Sequence, residues 1–120
     1  MSHFPVSIHP YFKARPGKLE EIKALLREFV KKSETEEKIL QYDFTINGDE
    51  IFCRESYKDA AGVLAHLSNV GEELNKMLTL SDLIRLELHG PAAELEALKE
   101  QVGNLNPAWF ALECGMERRS

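Results

Sequence analysis

Leu40-Gln41-Tyr42-Asp43-Phe44-Thr45-Ile46-Asn47-Gly48-Asp49-Glu50-Ile51-Phe52-Cys53-Arg54-Glu55-Ser56-Tyr57 is the stretch that decides the fold. Leu40, Tyr42, Phe44 and Ile46 alternate with Gln41, Asp43 and Thr45, the period of a strand with two unlike faces. Asn47-Gly48 then signals a tight hairpin, because both central positions of such a turn take positive φ. Ile51 to Tyr57 is the returning strand, with Ile51, Cys53, Glu55 and Tyr57 on one side and Phe52, Arg54 and Ser56 on the other. Asp59 follows as a cap for a helix that buries Ala60, Val63, Leu64 and Leu67.

Working outward, Val6 to Lys13 alternates as well, with Val6, Ile8 and Phe12 opposite Ser7, His9, Tyr11 and Lys13. Pro10 inside this run predicts an edge position or a local bulge. Pro16-Gly17 breaks the chain, and from Lys18 the period becomes helical: Leu19, Ile22, Leu26, Phe29 and Val30 share a face with Leu25 at its flank. Glu20 and Glu21 open this helix and Lys31 and Lys32 close it, as the helix dipole favours. After a break near Asn69 the chain continues helically to Leu80, with Val70, Leu74, Met77 and Leu78 inward. Leu83 to His89 is a further strand, Ile84, Leu86 and Leu88 against Leu83, Arg85, Glu87 and His89. The order is β-α-β-β-α-β, the ferredoxin-like α+β arrangement with an antiparallel sheet. A C-terminal helix from Pro91 to about Val102 and a last strand over Trp109 to Cys114 extend it. The chain thus reads as one domain over residues 1–120, with a core of about 5–90 and an extension of 91–120.

One sheet face is left open by helices packed on the other, and its predicted residues are mixed: Tyr11, Leu83 and Tyr57 beside His9 and Arg85. Such a face suits pairing of two subunits, and the terminal strand is placed to cover an edge or cross to a partner. A net charge of −5 disfavours nucleic acid, whose phosphates need clustered Lys and Arg. The basic pairs Lys31-Lys32 and Arg118-Arg119 read as a solvated helix end and tail. Cys53 and Cys114 have no metal-ligand spacing and read as small buried thiols. Met1-Ser2-His3-Phe4-Pro5 lacks the basic segment and apolar run of a signal peptide, and no stretch is long enough to span a bilayer. A cytoplasmic homodimer is the expectation, without membrane or nucleic-acid partners.

The run Phe52-Cys53-Arg54-Glu55-Ser56-Tyr57-Lys58-Asp59 followed by Val63-Leu64-Ala65-His66 resembles the antibiotic biosynthesis monooxygenase family. Its members often carry an apolar strand ending in Glu, an aromatic residue two positions later (commonly Trp), and a helix with Ala-x-x-His. The opening strand, Pro16-Gly17-Lys18 and the long helix with Glu20-Glu21 and Phe29 fit the same pattern, so the resemblance spans residues 6–89. It implies a dimeric α/β barrel with a pocket between sheet and helices. It also implies oxidation of a small aromatic or quinol-type molecule by dioxygen without metal or flavin. Relatives that degrade haem need a His ligand and a Trp wall; at the corresponding place this chain has Asn69-Val70-Gly71-Glu72 instead of a Pro-His pair.

The candidate catalytic residues are His66, Tyr57 and Glu55. Oxygenation without a cofactor requires deprotonation of the substrate, and an imidazole is the side chain suited to that near neutral pH, which makes His66 the base candidate. His66 flanks the apolar stripe of its helix; the competing reading is a residue at the helix end that stabilises the dipole. Tyr57 would donate to a substrate oxygen. Glu55 would orient His66, or simply pair with Arg54 or Arg85. His9 and His89 fall on neighbouring strands without a third ligand, which favours a polar interface cluster over a metal site. The alternative to an enzyme is a non-catalytic dimeric module that binds a small apolar ligand.

Overall fold

The computed structural model describes residues 4–118; Met1 to His3 of the N-terminal reading and Arg119 of the terminal basic pair lie outside the described residues. Five strands, β1 (Val6–Ala14), β2 (Ile39–Asn47), β3 (Glu50–Tyr57), β4 (Ser81–Gly90) and β5 (Ala108–Ala111), form one sheet in the order β2-β3-β1-β4-β5. The first four are antiparallel, as a ferredoxin-like arrangement requires. Helices α1 (Leu19–Ser33), α2 (Ala60–Asn69) and α3 (Gly71–Leu80) cover one face. Two short helices, α4 (Ala92–Glu96) and α5 (Lys99–Val102), replace the single helix expected after Pro91. Because they form a crossover, β5 returns parallel to β4 and makes the sheet mixed. It covers the β4 edge of its own sheet.

The local rules account for most elements. Pro16 and Gly17 turn the chain between β1 and α1; Gly17 takes φ +77 and the Lys18 amide donates to the Arg15 carbonyl at 3.0 Å. Asp59 caps α2, accepting from the Gly62 amide at 2.8 Å. The β2–β3 hairpin forms, but one residue later than Asn47-Gly48 suggests. Asn47 pairs with Glu50, so Gly48-Asp49 is the loop, and only Gly48 (φ +63) needs the left-handed region.

Irregular positions produce the other departures. Pro10 lies in the central strand β1 rather than at an edge, and the β1–β3 ladder skips His9 and Pro10 because proline has no N–H to give. Beside it, the β1–β4 register shifts between Tyr11 and Phe12: Tyr11 opposes Arg85 and Phe12 opposes Leu83, which leaves Ile84 as the bulged residue. Ile84 is therefore exposed, and Leu83 packs inward with the core, the reverse of strict alternation. A second shift on β2 makes Leu40 a bulge that faces solvent. Tyr57, expected on the open face, is completely buried on the inner one. Val30 is more exposed than its helical position suggests, and Leu25 takes its place in the core. Cys53 is buried as expected, but Cys114 is exposed because the last strand ends at Ala111.

The core is divided. One apolar cluster joins Val6, Ile8, Tyr57, Val63, Leu88 and Leu98. The other joins Phe12, Ile22, Phe29, Ile51, Val70 and Met77. Burying each such side chain stabilises the fold by roughly 1.5–3 kcal/mol. The functional candidates sit along the seam.

Candidate active site

Strand alternation puts Ile51, Cys53, Glu55 and Tyr57 on the inner face of β3, and Glu55 is only 6% exposed. Neither Arg54 nor Arg85 reaches it, since Arg54 is exposed on the opposite side of β3 and Arg85 bonds Glu87. The partner of Glu55 is Tyr57, whose hydroxyl donates to Oε1 at 2.5 Å. Burial raises the carboxyl pKa of Glu55 against the opposing pull of His66, Tyr57 and Cys53. Burial also pushes the phenol of Tyr57 up, with Glu55 adding to it. The carboxyl is thus held toward its neutral, proton-carrying form.

His66 is 2% exposed, so the reading of an open helix end does not hold. Its Nε2 lies 3.9 Å from Glu55 Oε1, too far for a hydrogen bond but close enough for both groups to serve one ligand. On the other ring edge, Nδ1 donates to Glu36 Oε2 at 2.9 Å. A carboxylate can only accept, so this contact assigns the Nδ1–H tautomer to a neutral ring and leaves the Nε2 lone pair free.

Three positions of the candidate site escape the sequence reading. Glu36 lies in the turn between α1 and β2, thirty positions from His66, where periodicity carries no information. Asn69 Nδ2 donates to the same Glu36 oxygen at 2.8 Å and to the Lys32 carbonyl at 3.0 Å. The residue that departs from the Pro-His pattern therefore builds the dyad. Asn69 follows His66 by three positions, one helical turn on, and that spacing is a usable signal. Tyr42 packs edge-on against the His66 ring, 4.9 Å between centroids. Its inward alternation with Phe44 was legible, but not its contact with His66.

Glu55, His66 and Tyr42 border a cavity of about 70 Å³ at the seam of the two clusters. Glu55, His66, Cys53 and Tyr42 supply its polar edges; Phe12, Phe29, Leu74, Met77, Leu86 and Val102 are among its apolar walls. Val102 belongs to the C-terminal extension, so that segment completes the pocket. Tyr57 stands behind Glu55 and is not on the wall. The arrangement can take a proton at Nε2 and give one from Glu55 inside an apolar enclosure.

The outer face holds a separate histidine group. His9 and His89 meet edge to face at 4.8 Å, and Phe110 of β5 stacks on His89 at 4.5 Å. Ser7 bonds His9 at 2.8 Å and Glu87 bonds His89 at 2.9 Å. Among the described residues, no three His, Cys, Asp or Glu side chains are grouped to hold a metal ion. No helix there is long and apolar enough to cross a membrane.

No protein-family model and no curated protein matches the chain. Solved structures do. Rv0793 from Mycobacterium tuberculosis is 21% identical with a TM-score of 0.63, over 70% of this chain and 91% of that one. A protein named antibiotic biosynthesis monooxygenase is 16% identical with a TM-score of 0.61, over 69% and 92%. Both share the fold. MupZ from Pseudomonas fluorescens is 36% identical with a TM-score of 0.90, over 95% of this chain and 94% of that one, a match that takes in the C-terminal extension. On that identity and coverage, this chain belongs to the same family as MupZ, on the ferredoxin-like fold that the antibiotic biosynthesis monooxygenases share.

Proposed function

We propose that this protein is an acid–base enzyme that moves a proton on a small, largely apolar carbonyl compound, through its own side chains. The observation that carries the reading is the placement of a neutral-leaning Glu55 and a Glu36-oriented His66 on one wall of an apolar cavity. His66 Nε2 takes a proton from the carbon beside the carbonyl, and Glu55 gives one to the carbonyl oxygen. The resulting enol returns to a carbonyl with the proton at a new position, or expels a leaving group. Tyr57 holds Glu55 by donating to Oε1, which leaves the acid proton on the other oxygen. Pairing of two subunits through the open sheet face, and a cytoplasmic location, belong to the same proposal.

A second reading is favoured by the name of a fold neighbour, antibiotic biosynthesis monooxygenase. Here His66 deprotonates an aromatic or quinol-type substrate, whose anion passes electrons to dioxygen. A CH2 group beside a phenol becomes C=O while the second oxygen atom leaves as water, so the substrate supplies all four electrons.

Proton exchange separates the readings. A panel of small enones in D2O under argon is followed by NMR for deuterium uptake beside the carbonyl. Uptake above buffer that vanishes in Glu55→Gln and in His66→Gln supports acid–base catalysis. No uptake, together with oxygen consumption on anthrones or quinols in air, overturns it in favour of oxygenation. Binding without either reaction overturns both and leaves a ligand-binding module.

A further inference from the structure

Beside the inner cavity lies an open groove of about 280 Å³, lined by Val30, Ser33, Glu34, Glu36, Ile39 and Tyr42. One side chain, Tyr42, lines both spaces. The His66–Glu36 pair joins them a second time, with the imidazole on the cavity and its carboxylate on the groove. The cavity alone is small: a void of roughly 150 Å³ is what takes a benzene molecule in an engineered core. At about 70 Å³, this one holds no such ring while Tyr42 stays in place. The groove also has an unused acceptor. Glu36 gives Oε2 to both His66 and Asn69, while Oε1 is buried without a hydrogen-bond partner. A buried carboxylate oxygen in that condition is costly, and a donor from a ligand would relieve it.

From these features we infer that cavity and groove are one elongated substrate site, divided by Tyr42 as a gate, for a neutral molecule with an apolar end and a hydroxyl-bearing end. The inference deepens the proposed function and rests on it for the identity of the reacting end. The apolar end enters past Tyr42 to meet Glu55 and His66, and a hydroxyl donates to Glu36 Oε1. The carboxylates of Glu34 and Glu36 in the groove select against an anionic end. Tyr42 is suitably mounted to move. It sits on β2, an edge strand paired on one side only, two positions from the bulge at Leu40. Its ring rests edge-on against His66 and Phe44.

Binding measurements test this without relying on turnover. The probes are 4-phenyl-1-butanol and 4-phenylbutanoate, followed by NMR and by stopped-flow competition. The alcohol should bind about tenfold more tightly than the carboxylate at neutral pH, and Glu34→Gln should shrink that ratio to about a third. Tyr42→Ala should speed association about fivefold and Tyr42→Trp should slow it, with Tyr42→Phe close to the parent protein. Thermal melts identify any variant that fails to fold, in which case the Phe and Trp pair decides. Nuclear Overhauser contacts of one bound alcohol should run from its phenyl ring to Met77 and from its hydroxymethyl to Ile39. Contacts confined to one space, or equal association rates in all Tyr42 variants, would overturn the gate. Neither outcome depends on proton exchange, so a failed gate and a failed reaction assignment are told apart.

Discussion

Among the described residues, two carboxylate–histidine pairs have equal length and opposite character. Glu36–His66 and Glu87–His89 both close at 2.9 Å. The side chains of the first are 11% and 3% exposed; His89 in the second is 40% exposed. Around the inner pair, burial raises Glu55 above the usual carboxylate range. On the outer face, hydrogen bonds from His89 and Arg85 hold Glu87 below it. The same residue types at the same separation therefore stand beside a carboxyl that burial holds toward its neutral form in one place, and within a partly solvated polar cluster in the other. What differs is the removal of water, which penalises charge at Glu55 more than its partners restore.

The largest effect should come from turning the inner acid into an amide. Glu55→Gln keeps the shape and a hydrogen-bond acceptor for Tyr57 but has no proton to give. Turnover on any substrate identified by the exchange assay should fall about 10²- to 10⁴-fold, while Glu87→Gln on the outer face leaves it unchanged. Equal losses in both variants would mean that burial is not what distinguishes the two sites.

Stability should separate the pairs next. Glu36→Ala leaves His66 Nδ1 and Asn69 Nδ2 without their shared acceptor at a part-buried place beside the groove. A cost of about 1–3 kcal/mol is expected from urea denaturation. Glu87→Ala removes a partly solvated contact and should cost under about 1 kcal/mol. A larger loss at Glu87 would place it in a buried interface of the assembled protein, which the concentration dependence of the melt would reveal.

How much of this contrast was legible in the sequence follows from the range of each interaction. Local pairs were readable: the Asp59 cap, the Glu20–Glu21 start of α1, the shared face of Glu55 and Tyr57. The ferredoxin-like order followed from strand and helix periods alone. Positions that depend on register were less so. A single extra residue at Ile84 moved Leu83 from the open face to the core, and the hairpin turned at Gly48-Asp49 because Asn47 was kept for a ladder pair with Glu50. Glu36 was not readable, because a turn residue meets His66 only after α1 and α2 have packed. The fold is written in short-range patterns; the dyad is written in a contact thirty positions apart.

The smallest effect, and the sharpest test of the contrast, is the sign of a pH dependence. Glu55 has a folded-state pKa above its reference value of 4.5. Below 4.5 it is protonated in both folded and unfolded chains and shifts nothing. Between 4.5 and the folded value the unfolded chain releases its proton while the folded chain keeps it, so stability falls as pH rises. Glu87 has a folded-state pKa below 4.5. Its contribution is complete above 4.5 and disappears as pH falls through the folded value, where the unfolded chain binds a proton that the folded chain does not. Urea midpoints from pH 3 to 8 should therefore change in opposite directions in the two variants. Glu55→Gln should remove a loss of stability on the alkaline side of 4.5, and Glu87→Gln should remove a smaller loss on the acid side. If Glu55→Gln left the alkaline limb intact, the inner carboxyl would be ionised in the folded protein. His66 would then stand between two carboxylates, and the acid role would have to pass to the protonated imidazole.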